Sequence, residues 1–222
     1  MNLALFDLDG TLLPFDSDHG FGEFLVAEGL ADDATFRARN DAFYADYLAG
    51  RLDMDAYVDF ATSAWRGLAP PEADALARRY VEERVRPRLA PSALELVDRH
   101  RAAGDLLAIV TATNDFVTRP IARLFGVPTL IATELERDAA GRATGRVRGT
   151  PAFREGKIAR VEGWLEGLGH RFDAFDRSTF YSDSTNDLPL LERVSHPVAT
   201  NPGEGLERIA RERGWPVLQL FA

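Results

Sequence analysis

Asp7 and Asp9 follow a short apolar run, residues 3–6, and stand two positions apart. On an extended backbone such a pair lies on one side. Two carboxylates so close push their pKa values apart unless a cation or a proton intervenes. Two further apolar runs also end in polar residues. Residues 106–110 lead to Thr111, and 179–181 lead through Ser182 to Asp183, with Asn186 and Asp187 just beyond. Ligands of open parallel sheets bind outside the carboxyl ends of the strands, so these side chains converge on one place. Three carboxylates suit a hard divalent ion such as Mg²⁺, which takes few of them and keeps water and phosphate as its other ligands. The Thr111 hydroxyl, and the N–H groups where the next helix begins, can bond phosphoryl oxygens. Of 26 basic residues, 25 are arginine and one is Lys157. Arginine-rich coding could strand a lysine anywhere, but this one opens a predicted helix between the acidic motifs, where a compact ammonium serves a phosphate. Metal, hydroxyl and ammonium around one point describe a phosphoryl site. Taken singly, the acids could be a solvated turn, Thr111 a strand residue, and 183–187 a helix cap. Their conjunction favours chemistry.

Such side chains need several strands ending at one edge. Short apolar runs at 3–6, 106–110, 179–181, 197–200 and 216–220 read as strands. Between them, 92–103 (closed by Gly104), 116–125, 155–167 and 203–213 read as helices, with Pro120 in the first turn of its helix or kinking it. Residues 130–148, around Asp138 and Gly141, read as a β-hairpin. From 16 to about 87 no strand is predicted, only three or four amphipathic helices broken near Gly29, Gly50 and 67–71. Strands alternating with helices predict an α/β fold, a parallel sheet wrapped on both faces, with one helical insertion.

The chain has 222 residues, 45% of them hydrophobic, and no cysteine, which removes disulfides, thiolate zinc sites and thiol nucleophiles. Its length suits one large domain, or a core with a subdomain. Its start lacks the basic region of a signal peptide, and no apolar run approaches a membrane span. A net charge of −9 opposes nucleic acid and basic membrane contacts. A cytoplasmic protein acting on a small molecule is expected. Residues 15–87 carry 15 acids against 8 arginines, so −7 of the −9 lies there. That acidity is either a solvated face or a lid that favours cationic substrates. Nine aromatics between Phe21 and Trp65, mainly at helical spacing, read as packing.

On these residues the sequence resembles the haloacid dehalogenase (HAD) superfamily of phosphatases. The four family motifs correspond in order to Asp7, Leu8, Asp9, Gly10, Thr11 and Leu12; to Thr111; to Lys157; and to Asp183 with Asn186 and Asp187. The helical insertion is similar to the type 1 cap, and 130–148 with Thr144 and Gly145 resembles the phosphoserine-phosphatase-like branch. The resemblance implies a Rossmann-like core at 1–14 and 88–222, with an α-helical cap at 15–87. It implies Asp7 as the nucleophile that becomes an aspartyl-phosphate, and Asp9 as the acid for the leaving alkoxide and the base for water. Mg²⁺ would be held by Asp7, Asp183 and the Asp9 carbonyl, with Asp187 orienting metal-bound water. Thr111, Ala112, Lys157 and Asn186 would bind the phosphate, and Asp16 the substrate.

Three departures from phosphoserine phosphatases bear on the substrate. Their glutamate after the first motif corresponds to the shorter Asp16, their carboxylate-binding arginine to Ala61, and their glycine pair to Ala112 and Thr113. A pocket without a carboxylate clamp, beneath an acidic cap, suits a small cationic phosphomonoester such as histidinol phosphate, phosphocholine or phosphoethanolamine. Phosphoserine phosphatase, or a phosphotransferase of the same superfamily, is the alternative.

Overall fold

A computed structural model describes residues 1–221. Strand β1 (Asn2–Phe6) is followed by helices α1 (Ser17–Ala27), α2 (Asp33–Leu48), α3 (Met54–Ser63) and α4 (Pro70–Tyr80). After a π-turn and a 3₁₀ turn over 81–88 come α5 (Pro91–Ala102), β2 (Leu106–Asn114), α6 (Asp115–Leu124) and β3 (Thr129–Thr133). Then follow β4 (Leu135–Arg137), β5 (Ala143–Val147), α7 (Glu155–Gly167), β6 (Arg177–Ser182), α8 (Leu188–Arg193), β7 (His196–Thr200), α9 (Glu204–Arg213) and β8 (Val217–Leu218).

Six strands form one parallel sheet in the order β3-β2-β1-β6-β7-β8. Alternate β1 residues enter different cores, because successive strand side chains point to opposite faces. Ala4 and Phe6 join the cluster of α5 and α6, with Leu96, Val97 and Ile121. Leu3 and Leu5 join that of α7, α8 and α9, with Val161, Leu165, Leu190 and Leu206. Both faces are thus covered, and the central strand reads as an unbroken apolar run. In β1, Phe6 is level with Ile109 of β2 and Tyr181 of β6. Asp7, Thr111 and Asp183 therefore lie together at the carboxyl end of the sheet.

The helical insertion breaks where the sequence predicts. Gly29 and Gly50 take φ of 71° and 70°, the left-handed conformation that ends α1 and α2. Asp16, Asp32 and Asp53 cap α1, α2 and α3 with side-chain bonds to backbone N–H groups. Pro70 opens α4 from its first helical position. The insertion seals against the core through stacking of Trp65 on Phe116, ring centroids 3.9 Å apart, and within the insertion the Tyr80 hydroxyl ties α4 to α1 by donating to the Ser17 carbonyl at 2.8 Å.

Two expectations are corrected. Residues 130–148 are not one hairpin. β3 pairs in parallel with β2, while only β4 and β5 form an antiparallel ribbon, against which α3 packs. Alternating polarity does not distinguish a strand that joins the main sheet from one that folds back. β2 also continues past Val110 to Asn114, so Thr111 lies within the strand, four residues before α6 begins, and not at a helix start. Pro120 sits inside α6, beyond its first turn.

Candidate active site

The site grows from the loop after β1. The Asp7 N–H still bonds the Tyr181 carbonyl at 2.9 Å, so Asp7 leaves the sheet in register with β6. Gly10 then turns with φ 74°, and a Cβ there would stand 2.3 Å from Asp183 Oδ2. Only glycine permits that approach. The Thr11 hydroxyl donates to Asp183 Oδ1 at 2.8 Å and accepts from the Asp183 N–H at 3.0 Å, locking the first motif to the fourth. Asn201 donates to the carbonyls of Gly10 and Thr11 and holds this loop from β7.

Lys157 enters from α7 and is 1% exposed. Its ammonium donates to Asp7 Oδ1 at 2.9 Å and lies 2.8 and 2.7 Å from the two Asp187 oxygens. Burial pulls the Lys157 pKa down, but Asp187 and Asp7 outweigh it, and the net shift is upward. The ammonium stays charged. The Ser182 hydroxyl completes this knot by donating to Asp187 Oδ2 at 2.7 Å.

Asp9 is held by both oxygens. Oδ1 accepts from the Ser17 N–H at 2.7 Å, and Oδ2 from the Thr113 hydroxyl at 2.8 Å. Nearby, Asp18 accepts from the Asn114 amide at 3.1 and 3.2 Å. Asp16 spends one oxygen on the N–H groups of Asp18 and His19. Asp7, Asp9, Asp16, Asp18, Thr111, Ala112 and Thr113 line one cavity of about 30 Å³, closed on the helical side by Phe43, Tyr44, Tyr47, Met54 and Tyr57. No lysine or arginine among the described residues lines it.

Asn186 lies elsewhere. It is buried, and its amide donates to the Tyr47 carbonyl at 2.8 Å, tying the fourth motif to α2. Asp187 is engaged by Lys157 and Ser182, and Ala61 lies outside the residues lining the cavity. Sequence reasoning placed Thr11 in the first motif without a role, and missed Ser17, Ser182 and Thr113 as parts of the site. Ser17 and Ser182 are small hydroxyl residues beside a motif, and nothing in their type marks them out.

Burial drives the electrostatics. It raises Asp7 to about 7, against the opposing pull of Lys157 and with added push from Asp187 and Asp9. Burial likewise raises Asp9 to about 7, Asp18 to about 7 and Asp16 to about 6, and lifts Asp183 well above its usual value. Six carboxylates thus share the site with a single ammonium, which contacts two of them, Asp7 and Asp187. Asp7 Oδ2 is buried without a hydrogen-bond partner. That orphaned oxygen and the excess of acid fit a hard divalent cation between Asp7 and Asp183, which would reverse these upward shifts.

A stability prediction follows from the signs. Carboxyls raised to about 6–7 in the fold hold protons that the unfolded chain has released, so without a divalent cation the unfolding free energy rises as pH falls from about 7 towards 4. In chelator, Tm is expected to be higher at about pH 5.5 than at about pH 8, and saturating Mg²⁺ is expected to shrink the difference. Thermal melts at both pH values check this, and a chelated protein more stable at the higher pH would contradict it.

The family model for haloacid dehalogenase-like hydrolases matches residues 4–192. A histidinol-phosphatase of Neisseria meningitidis serogroup C (strain 8013) is 43% identical over 217 residues, 98% of each chain. A crystal structure from Bordetella pertussis Tohama I, of a protein with unknown function, is 49% identical and superposes with a TM-score of 0.93 over 99% of each chain. A substrate-bound phosphoserine phosphatase shares the fold at a TM-score of 0.68 and 16% identity, over 97% of this chain and 91% of that one.

Proposed function

The chain belongs to the haloacid dehalogenase-like hydrolases, and from that premise we propose that it is a Mg²⁺-dependent phosphomonoesterase for a small cationic metabolite. Residues 15–87 are its cap, with 1–14 and 88–222 its catalytic core, and the cytosol is its expected place. Asp7, Asp183 and the Asp9 carbonyl would hold Mg²⁺, which when bound neutralises phosphoryl charge. A carboxylate oxygen of Asp7 attacks phosphorus, and the bond to the ester oxygen breaks. Asp9, raised to about 7 by burial, gives its proton to that departing oxygen. Thr111, the Ala112 backbone and Lys157 bind the phosphoryl oxygens, with Asn186 at the margin. Water then attacks the phosphorus of the Asp7 acyl phosphate while Asp9 takes its proton, and inorganic phosphate leaves. Asp187 holds Lys157 in place and stands ready to orient water.

One observation carries the substrate class. The cavity beyond the phosphoryl position is lined by Asp16, Asp18 and aromatic rings, with no lysine or arginine among the described residues, and the ring of His19, which also lines it, is paired with Asp41 at 2.7 Å. No arginine or lysine there would clamp a substrate carboxylate, while acids and ring faces suit an ammonium or imidazolium group. The identity with a histidinol-phosphatase supports this reading. The water-accessible space there is about 30 Å³, and a movement of α1–α3 is expected to accompany entry of an ester.

Phosphate release with Mg²⁺ should favour histidinol phosphate over phosphoserine by at least about tenfold in kcat/KM. A preference for phosphoserine would reverse the substrate assignment, and transfer of phosphate to added alcohols in place of water would make the chain a phosphotransferase.

A further inference from the structure

We propose that Thr113 is the positioning residue of the leaving-group step, fixing through its hydroxyl the carboxyl orientation in which Asp9 meets the ester oxygen. The inference rests on the phosphomonoesterase reading above. Its starting point is an irregularity in β2. Val110 pairs with Ile131 and Asn114 with Thr133, so four steps along β2 correspond to two along β3. The surplus residues bow out of the ladder, as β-bulges do where a strand re-aims its side chains. The bowed stretch is Thr111, Ala112 and Thr113, and all three line the cavity.

The bulge is held in shape from within and at its end. The Thr113 N–H donates to the Thr111 hydroxyl at 3.2 Å. Asn114 caps α6 by accepting from the Val117 N–H and donates its amide to Asp18 of α1. Thr113, 8% exposed, is thereby fixed between a helix cap and the phosphoryl position. Its hydroxyl reaches Asp9 Oδ2 at 2.8 Å while the Ser17 N–H takes Oδ1 at 2.7 Å. The two donors come from different elements, so together they define the plane of the carboxyl group. Ser17 belongs to the first turn of α1 in the helical insertion, whereas Thr113 belongs to β2 of the sheet.

A positioning role predicts a dependence on the leaving group. An alkyl ester expels a poor leaving oxygen that needs the Asp9 proton, whereas p-nitrophenyl phosphate expels a phenolate that does not. kcat/KM covers only the steps up to phosphorylation of Asp7, so it isolates this proton transfer from later hydrolysis. Thr113→Val keeps the shape of the side chain and deletes the donor. It should lower kcat/KM for an alkyl ester (histidinol phosphate or β-glycerol phosphate) by about tenfold to 100-fold, and for p-nitrophenyl phosphate by less than about threefold. Thr113→Ser, which keeps the hydroxyl, should restore the alkyl ester to within about threefold. Equal losses on both esters, no loss on either, or a serine variant as poor as the valine variant would overturn the role. Wild-type protein that cleaves neither ester with Mg²⁺ would instead overturn the phosphomonoesterase reading.

Discussion

Asp7→Asn is expected to lower Mg²⁺-dependent phosphate release by at least about 10⁴-fold while leaving the fold intact. The carboxamide is nearly isosteric but is no nucleophile, and it offers a weaker ligand to a divalent cation. Retention of the fold follows from the charge balance around Lys157. Asp7 supplies one contact to the ammonium at 2.9 Å, and Asp187 supplies two more, backed by Ser182. Losing the Asp7 charge leaves Lys157 paired, and the asparagine carbonyl can still accept from it. It also removes a buried carboxyl that burial pushes up to about 7, a group unfavourable to the metal-free fold near neutral pH. Tm in chelator at about pH 8 should therefore not fall, and should rise slightly. Turnover within about tenfold of wild type, on several esters, would remove Asp7 from the nucleophilic role.

The catalytic edge was legible because parallel-strand topology makes it a consequence of three apolar runs. Once residues 3–6, 106–110 and 179–181 are neighbours in one sheet, Asp7, Thr111 and Asp183 must emerge together, and the register of Phe6 with Ile109 and Tyr181 places them so. The lone lysine among 25 arginines was the sharpest compositional signal, and Lys157 is the cation of the buried site. Composition could not divide the acidity of residues 15–87. In the structure Asp32 and Asp53 are exposed helix caps, while Asp16, a cap as well, and Asp18 line the cavity, a difference set by which helix start abuts the site and not by residue type. Thr113 is the instructive omission. In the sequence it reads as a missing glycine, because what it does depends on a bulge that no periodicity announces. The hairpin around Asp138 and Gly141 is there, but β3 was misread as part of it for a related reason: strand pairing partners are chosen by tertiary packing, and β3 joins β2 in the main sheet.

Lys157→Met should cost both stability and activity, and the two losses can be separated. The substitution leaves Asp7 and Asp187 buried beside each other, 2% exposed each, with Ser182 as the remaining donor to Asp187. Removing one partner of a buried ionic cluster typically destabilises by about 3–5 kcal/mol. Without the ammonium, Asp7 climbs further above its value of about 7, so protonation relieves the strain. The gap between variant and wild type should be widest at about pH 8 and narrow towards about pH 5, as denaturant midpoints at both pH values would reveal. Lys157→Arg retains the charge, but its larger planar group must fit a site 1% exposed with the Phe180 ring 5.7 Å from the ammonium, so turnover should fall even there. Combining Lys157→Met with Asp187→Asn deletes one charge of each sign and should recover part of the stability. It should recover none of the activity, because no ammonium remains to bind the phosphoryl oxygens. If the double variant regained turnover along with stability, Lys157 would be a counter-ion that holds the fold and takes no part in the chemistry.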